Sequence, residues 1–232
     1  MSVGCFIAGT DTGVGKTRVS VALCRAFVAL GLRVAAMKPV ASGAERIGDT
    51  ALRNADAMAL LSVTNVAVPY ELANPYCFEP AVSPHLAARD AGMAIEPHRI
   101  AACYEQIAAR ADVVLVEGAG GWLAPIGAAG TMADIATALA LPVVLVVGLR
   151  LGCLNHAALT LQAVRASQAR LAGWIANAID LSFERSADNV GSLEKIFGTP
   201  ALGALPYGAD SDTEAALLAP AANALRRAAF ET

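Results

Sequence analysis

Short apolar runs alternate along the chain with segments in which apolar residues recur every three or four positions. The runs near residues 113 and 143 are almost purely valine and leucine, which is typical of parallel strands covered by helices on both faces. Val19, Leu23, Phe27 and Leu30 form one apolar stripe with helical spacing. The runs predict six strands: Val3–Ala8, Arg33–Met37, Val113–Val116, Val143–Val147, Gly173–Ala176 and Ala201–Leu205.

This alternation indicates an α/β fold with three layers, in which helices cover both faces of a mostly parallel central sheet. No repeat or low-complexity linker divides the chain, so residues 1–232 are expected to form a single domain. Ligands of such folds bind at the carboxyl ends of the strands. The residues that directly follow each strand are therefore the first candidates for a functional site.

Two segments between the second and third predicted strands are less regular. Residues 66–84 contain four prolines and are predicted to form a long ordered loop, and such loops are more often functional than idle. In the preceding stretch, "DTALRNADAMALL", helical spacing predicts a helix that starts at Asp49 and places Asp56 on the same face as Leu52 and Leu60. A carboxylate on an apolar face needs a partner, either a neighbouring arginine or a metal ion.

Composition narrows the class of protein. Hydrophobic residues make up 56% of the chain and charged residues 16%, which indicates a large core and favours self-association through part of the remaining apolar surface. The net charge of −3 and the lack of a dense basic run argue against a nucleic-acid-binding protein. The N-terminus lacks a secretory pattern, and the most apolar segment, "LALPVVLVVGL", is too short to span a bilayer. We expect a cytoplasmic protein with neither a membrane nor a nucleic acid as partner.

The cysteines and histidines do not indicate a metal centre. The five cysteines have no C-x-x-C spacing and stand mostly among apolar neighbours, as expected for small buried side chains in a reducing compartment. The three histidines lie far apart without ligand spacing. A zinc site is therefore not expected.

The stretch "GTDTGVGKT", residues 9–17, follows the first predicted strand and begins the first helix. Its backbone N–H groups and the helix N-terminus form a cradle for phosphate oxygens. Lys16 would reach the β- and γ-phosphates of a nucleotide, and the Thr17 hydroxyl would reach Mg²⁺. The strict G-x-x-x-x-G-K-[ST] pattern has Thr10 at its first position here, with Gly9 one residue earlier.

Lys38 ends the second predicted strand. Pro39 favours an extended conformation at Lys38 and stops the strand there, so Lys38 is expected at the carboxyl edge near the γ-phosphate. A second fixed cation would balance charge on a phosphoryl group in transfer. A solvent-exposed lysine at a strand end is the alternative, and Ser42, in a glycine-containing turn, could be an ordinary loop serine.

Glu117 directly follows the Val113–Val116 run and precedes "GAGG". A carboxylate there is expected to hold Mg²⁺ together with Thr17. The alternatives are a solvent-facing acid at Glu117 and an arginine partner for Asp56.

Taken together, these motifs resemble those of the dethiobiotin synthetase family within the P-loop NTPase superfamily. The matching stretches are "GTDTGVGKT", "KPVASG", "LRNADA", "NPY", "SPH", "VEGAGG", "VVGLRLGCLNHA" and "AGWIAN". They cover most of the chain, and "KPVASG" and "VEGAGG" are not general features of phosphate loops.

The resemblance implies an ATP-dependent ligase of biotin biosynthesis that acts on 7,8-diaminononanoate and CO₂ or bicarbonate, with Mg²⁺ as cofactor. One amine captures CO₂ as a carbamate, the carbamate attacks the γ-phosphate, and the resulting carbamic–phosphoric anhydride closes to the ureido ring. The phosphoryl acceptor is then made in the site, so no protein nucleophile is required.

The resemblance also implies site residues. Lys16 and Lys38 would be catalytic, and Thr12, Lys38 and Ser42 would contact the diamine. The family's tail-carboxylate site, at a homodimer interface, corresponds to Gly152 and Asn155. The implied ATP contacts are Gly13, Val14, Gly15, Lys16, Thr17, Arg18, Asp56, Glu117, Gly118, Ala119, Gly120, Asn177, Ala178, Pro206, Tyr207 and Gly208, with Asn177 on the adenine edge and Thr17, Asp56 and Glu117 on the metal.

Two positions depart from the family pattern. Gly13 stands where some relatives carry glutamate, so any ordering of the loop by that acid is absent. A tyrosine expected near the substrate tail is replaced around Asn189.

A different class remains as the alternative, namely a switch ATPase with a deviant phosphate loop that positions chromosomes or division sites. Such proteins carry a lysine early in the loop, where this chain has Thr10, Asp11 and Thr12. They often reach membranes through a basic amphipathic tail, whereas the final stretch "ANALRRAAFET" has two basic residues. A glutamine-dependent synthetase would need a glutaminase domain, for which the chain has no room.

Overall fold

The computed structural model describes residues 3–48 and 51–230. Its elements in chain order are β1 (Val3–Gly9), α1 (Lys16–Ala29), β2 (Val34–Met37), β3 (Val40–Ala41), β4 (Glu45–Ile47), β5 (Ala51–Arg53), α2 (Ala55–Val63), α3 (Tyr70–Ala73), β6 (Tyr76–Cys77), α4 (Pro84–Asp90), α5 (Pro97–Ala108), β7 (Val113–Glu117), β8 (Pro125–Gly127), β9 (Gly130–Thr131), α6 (Met132–Ala138), β10 (Val143–Leu149), α7 (Cys153–Ala166), β11 (Leu171–Ala178), α8 (Ser186–Phe197), β12 (Gly203–Leu205) and α9 (Ser211–Phe230).

The six predicted strands form one parallel sheet in the order β12-β11-β10-β1-β7-β2. This confirms the α/β fold with a mostly parallel central sheet. Strand β1 lies near the middle, and its neighbour β7 separates it from β2 at the edge.

The core has two halves because successive side chains of each strand point to opposite faces of the sheet. Phe6 and Val116 belong to one half, which α5, α6 and α7 cover. Ile7 and Leu115 belong to the other half, which α1 and α9 cover. Burial on both faces explains why the strands are continuous apolar runs.

The predicted helix around Asp56 is wrong in its first part. Residues 51–53 form strand β5, paired with β4, and α2 starts only at Ala55. Asn54 adopts an extended conformation, and its side chain accepts hydrogen bonds from the backbone N–H groups of Asp56 and Ala57, so the helix begins there. Leu52 therefore does not share a helix face with Asp56, and Asp49 lies outside the described residues.

The predicted long loop at 66–84 is also wrong in part, because it contains a short helix and a strand. Helix α3 follows Pro69, and β6 pairs in parallel with β3. Together they pack the segment against the end of β2, where Lys38 N donates to Ala73 O at 2.7 Å.

Within the described part of the chain, no helix is both long and apolar enough to cross a bilayer.

Candidate active site

The candidate site lies at the carboxyl ends of three adjacent strands. Residues 10–15 follow β1, Glu117 is the last residue of β7, and Lys38 directly follows β2. The register pairs Ile7 with Glu117 and Met37 with Val116. The phosphate loop, an acid and a lysine therefore meet at one edge of the sheet.

The phosphate loop turns sharply into α1. Gly15 has φ +82°, and a Cβ there would stand 2.0 Å from Nδ2 of Asn177, so no other residue fits. Gly13 also has positive φ, +74°, but open space surrounds it. The backbone conformation favours glycine at both positions. Only at Gly15 does close packing against another residue also exclude a side chain.

Lys16 folds back over this loop. Its ammonium group donates to Gly120 O at 2.6 Å and to Asp11 O at 3.3 Å. Burial, and next the nearby charge of Lys38, lower the pKa of Lys16 to about 8, against the opposing effect of Glu117. A triphosphate in the cleft would supply the negative charge that this cation lacks.

Lys38 is buried and held by two acids, which excludes the exposed strand-end alternative. Its Nζ lies 2.6 Å from Glu117 Oε1 and 3.1 Å from Asp56 Oδ2, and it also donates to Gly118 O at 3.3 Å. Burial by itself lowers the pKa of Lys38, but the charges and hydrogen bonds of Glu117 and Asp56 outweigh it, and the net shift is upward. For Asp56, burial raises the pKa, but the charge and hydrogen bond of Lys38, together with Thr17 and Lys16, outweigh it, and the net shift is downward. Lys38 is therefore a fixed cation, and the partner of Asp56 is this lysine rather than an arginine.

The residues expected to hold Mg²⁺ lie together. Thr17 Oγ1 donates to Glu117 Oε1 at 2.8 Å, and Asp56 reaches the same lysine as Glu117. Glu117 Oε2 is buried and has no hydrogen-bond partner among the described residues. No cluster of three or more His, Cys, Asp or Glu side chains suited to a metal occurs in residues 3–48 and 51–230. This donor set fits Mg²⁺, which binds through one or two carboxylates, substrate phosphates and water.

A cleft of about 450 Å³ opens above these groups. Thr12 and Ser42 line it, as the resemblance implies. The complete lining is Thr12, Gly13, Gly15, Lys16, Thr17, Lys38, Ala41, Ser42, Asn54, Asp56, Glu117, Ala119 and Gly120. Sequence reasoning did not single out Ala41 and Asn54. Asparagine is common as the capping residue of a helix, and its place two residues before Asp56 was the available signal for Asn54.

The residues implied for the nucleobase are joined by one guanidinium group. Arg18 donates to Asn177 Oδ1 at 2.8 Å, to Ala178 O at 3.2 Å and to Pro206 O at 2.5 Å, and its Nε pairs with Glu214 at 2.6 Å. The ends of β11 and β12 and the start of α9 are thereby fixed to α1.

Asn177 is fully buried, and its Nδ2 donates to Val14 O at 2.8 Å. Its carboxamide therefore faces protein groups rather than the open cleft.

Tyr207, in contrast, is exposed after β12, beside Gly208. Gly118 packs directly under the loop, where a Cβ would touch the ring of Phe6 at 3.0 Å.

The segment that corresponds to the family's tail-carboxylate site lies at the start of α7. Gly152 precedes the helix with φ +94°, and Asn155 lies in its first turn. Arg150 of this segment pairs with Asp11 of the phosphate loop at 2.5 Å, and His156 Nδ1 lies 3.9 Å from the same carboxylate. Sequence reasoning did not anticipate this ion pair, because it did not predict that β1 and β10 are neighbours in the sheet. Asn189 lies in α8 and donates to Arg185 O at 3.0 Å.

Comparisons with known proteins identify the family. A family model described as AAA domain matches residues 4–215. The chain is 47% identical over 207 residues to the ATP-dependent dethiobiotin synthetase BioD of Pseudomonas paraeruginosa (strain DSM 24068 / PA7), covering 89% of this chain and 90% of that protein. It is 45% identical over 210 residues to the ATP-dependent dethiobiotin synthetase BioD of Xanthomonas oryzae pv. oryzae (strain PXO99A), covering 90% and 93%.

Solved structures support the fold at lower identity. A ParA family ATPase from Chlorobium tepidum TLS matches with a TM-score of 0.57 and 17% identity, covering 100% of this chain and 95% of that one. Such a likeness shows a shared fold and no shared activity. Since 45–47% identity extends over about nine-tenths of each synthetase, the resemblance found in the sequence is confirmed, and this chain belongs to the dethiobiotin synthetase family.

Proposed function

We propose that this chain is an ATP-dependent dethiobiotin synthetase, a ligase that joins 7,8-diaminononanoate and CO₂ into a cyclic urea within a single domain. The observation that carries the proposal is the position of Lys16 and Lys38. They reach one cleft from the ends of β1 and β2, on either side of Glu117. Two cations at the rim of a phosphate loop suit the transfer of a phosphoryl group to an acceptor on the far side.

ATP would lie along the phosphate loop. The N–H groups at the start of α1 and the ammonium group of Lys16 would bind the β- and γ-phosphates. The base would extend toward Pro206–Gly208. A second lone pair on Asn177 Oδ1 and a second N–H on Nδ2 would serve an adenine edge, and their burial means that neighbouring groups must move first.

Thr17, Asp56 and Glu117 would hold Mg²⁺. The cation would neutralise negative charge on the triphosphate when bound. The buried Oε2 atom of Glu117, for which the described residues offer no hydrogen-bond partner, supports this role. In the free protein, the ammonium group of Lys38 neutralises Asp56 and Glu117.

The acceptor would occupy the half of the cleft lined by Thr12 and Ser42. One amine of the diamine adds to CO₂ and loses a proton, and the carbamate oxygen attacks the γ-phosphorus as ADP leaves. The second amine then attacks the anhydride carbon, phosphate departs with its oxygen, and a second proton is lost. Lys38 would stabilise negative charge on the phosphoryl oxygens throughout, because its charge is held at neutral pH by two carboxylates.

The substrate tail would reach a second copy of the chain. N–H groups at the start of α7, near Gly152 and Asn155, would accept a carboxylate. Leu151, just before α7, is 91% exposed, and Leu159, in the middle of α7, and Leu123, which lines the same pocket as Leu159, are 57% and 61% exposed. An apolar surface next to the tail site supports a homodimer in which the first half of α7 lies at the interface. The five free cysteines suit a cytoplasmic location.

Phosphate release tests the proposal. Purified protein with ATP, Mg²⁺, bicarbonate and the diamine should release phosphate and form the cyclic urea only when all four are present. Release that ignores the diamine but responds to lipid or DNA would contradict it and favour the switch ATPase. A diamine lacking one amine is the matched control, because it permits the carbamate but not ring closure.

A further inference from the structure

The segment between α2 and β6 contacts the main chain of Lys38. Both backbone polar groups of Lys38 are bound by two consecutive residues of this segment. Lys38 N donates to Ala73 O at 2.7 Å, and Lys38 O accepts from Asn74 Nδ2 at 2.6 Å. The lysine is thus held at its main chain as well as at its ammonium group.

Asn74 is itself held by a tyrosine. Its side chain is 3% exposed, its Oδ1 accepts from the hydroxyl group of Tyr70 at 2.8 Å, and its Nδ2 also lies 3.3 Å from Tyr76 O. A buried carboxamide with donors and acceptors satisfied in this way has one orientation. The direction of Nδ2 toward Lys38 O is therefore set by Tyr70.

The same hydroxyl group reaches the second acid of the site. Tyr70 Oη accepts from the backbone N–H of Asn54 at 2.7 Å, and Asn54 caps the helix that carries Asp56. Arg53 lies over the ring of Tyr70, 4.0 Å from its centroid, and fixes the ring plane. One tyrosine thereby connects the main chain at Lys38 to the helix start at Asp56.

We propose that Tyr70 and Asn74 are positioning residues for the phosphoryl-transfer step, holding Lys38 and Asp56 in register across the cleft. Neither side chain lines the cleft, so neither contacts the substrates directly. The inference rests on the proposed function, because it assigns these residues to the same reaction. It also gives the "NPY" motif a physical role at Asn74.

Two matched Tyr→Phe variants test it. Tyr70→Phe removes the hydroxyl group that links Asn54 and Asn74. Tyr76→Phe removes one that is more deeply buried and accepts a single backbone N–H, from Glu96 at 3.0 Å, away from the cleft. Tyr70→Phe should lower kcat roughly tenfold while changing the KM for ATP less than about twofold, and Tyr76→Phe should leave kcat within about twofold of wild type.

Equal kcat losses in the two variants, or a loss in Tyr70→Phe that appears in the KM for ATP alone, would overturn the proposal. The double variant Tyr70→Phe/Asn74→Ala adds a second criterion. If Tyr70 acts through its hydrogen bond to Asn74, the double variant should lose no more kcat than Asn74→Ala alone. Additive losses would show that the two residues act independently. If Asn74→Ala fails to fold, the Tyr70 and Tyr76 pair still decides.

Activity of the wild-type protein distinguishes a failure of the proposed function from a failure of the positioning role. Absence of diamine-dependent phosphate release in the wild type would reject the proposed function. Wild-type turnover together with an unaffected Tyr70→Phe would reject only the positioning role.

Discussion

The ammonium nitrogen of Lys38 lies 2.6 Å from Oε1 of Glu117, in a pair whose side chains are 5% and 0% exposed. The two residues come from neighbouring strands, β2 and β7, and meet because the register places Met37 opposite Val116. In the free protein each supplies the other's countercharge. When a nucleotide and Mg²⁺ bind, Lys38 would face the γ-phosphate and Glu117 would hold the metal ion.

Lys38→Ala should affect turnover much more than nucleotide binding. Removing a fixed cation from a buried reaction site costs about a hundredfold or more in kcat. The dissociation constant for ATP should change much less, because Lys16 and the loop N–H groups remain. Steady-state kinetics and calorimetric ATP titration measure the two quantities, with Lys195→Ala on exposed α8 as control. Similar losses in both would argue against a role in the transition state.

Glu117→Gln should raise the Mg²⁺ requirement. The substitution keeps the shape of the side chain but replaces a buried carboxylate oxygen that has no hydrogen-bond partner among the described residues. The Mg²⁺ concentration that gives half-maximal turnover should rise roughly tenfold or more. Glu105→Gln, on an exposed face of α5, is the control. An unchanged Mg²⁺ titration would remove Glu117 from the metal site.

Lys16 should make the nucleotide-free protein more stable as pH rises from about 8 toward 10.5. The folded pKa lies below the ordinary value of 10.5 because burial and Lys38 oppose the charge. In that window the unfolded chain binds a proton that the folded chain has released, so the free energy of unfolding increases with pH. Below about pH 8 both states are protonated and the slope due to Lys16 vanishes.

Urea unfolding of wild type and Lys16→Met across this pH range isolates the effect. The difference in unfolding free energy between the two proteins should grow in favour of wild type as pH rises. A difference that stays constant would show that Lys16 keeps its proton in the folded protein.

Gly15→Ala and Gly13→Ala form a matched pair in the phosphate loop. Both have positive φ, so each alanine costs about 1 kcal/mol of backbone strain. Only the Cβ at position 15 collides with another residue, the buried Asn177. Gly15→Ala should therefore destabilise the nucleotide-free protein several-fold more than Gly13→Ala in urea unfolding. Equal destabilisation would show that the loop and β11 do not pack as described.

Leu159→Glu should dissociate the proposed homodimer. The side chain is 57% exposed on α7, and a buried carboxylate at an apolar interface is strongly unfavourable. Sedimentation should show a monomer, with the KM for the diamine raised if the tail site spans two subunits. Leu217→Glu, on α9 at the opposite face, should retain the wild-type mass.

The parts of the fold that the sequence predicted are those with a local physical signal. Each sheet strand is an uninterrupted apolar run because both of its faces are buried, and Pro39 marks the end of β2. The start of α2 was missed because helical spacing continues through Leu52, whereas the capping side chain of Asn54 decides where the helix begins.

Other contacts had no local signal. Arg18 and Asn177 are 159 positions apart, and neither spacing nor composition indicates that they bond. Asp11 and Arg150 are separated by 139 positions. Only the sheet order, which places β10 beside β1, brings this pair together.

The bond between Arg18 and Glu214 gives the C-terminal helix influence far from its own position. Glu214 stands in the first turn of α9, is buried, and supplies the countercharge of the Arg18 guanidinium group, which also donates to Asn177, Ala178 and Pro206. A substitution at the beginning of α9 that removes this carboxylate would leave the guanidinium group without its countercharge and would weaken the connection between α1 and the ends of β11 and β12. The start of the C-terminal helix therefore helps to fix residues beside the glycine-rich turn, although Glu214 lies 196 positions after Arg18.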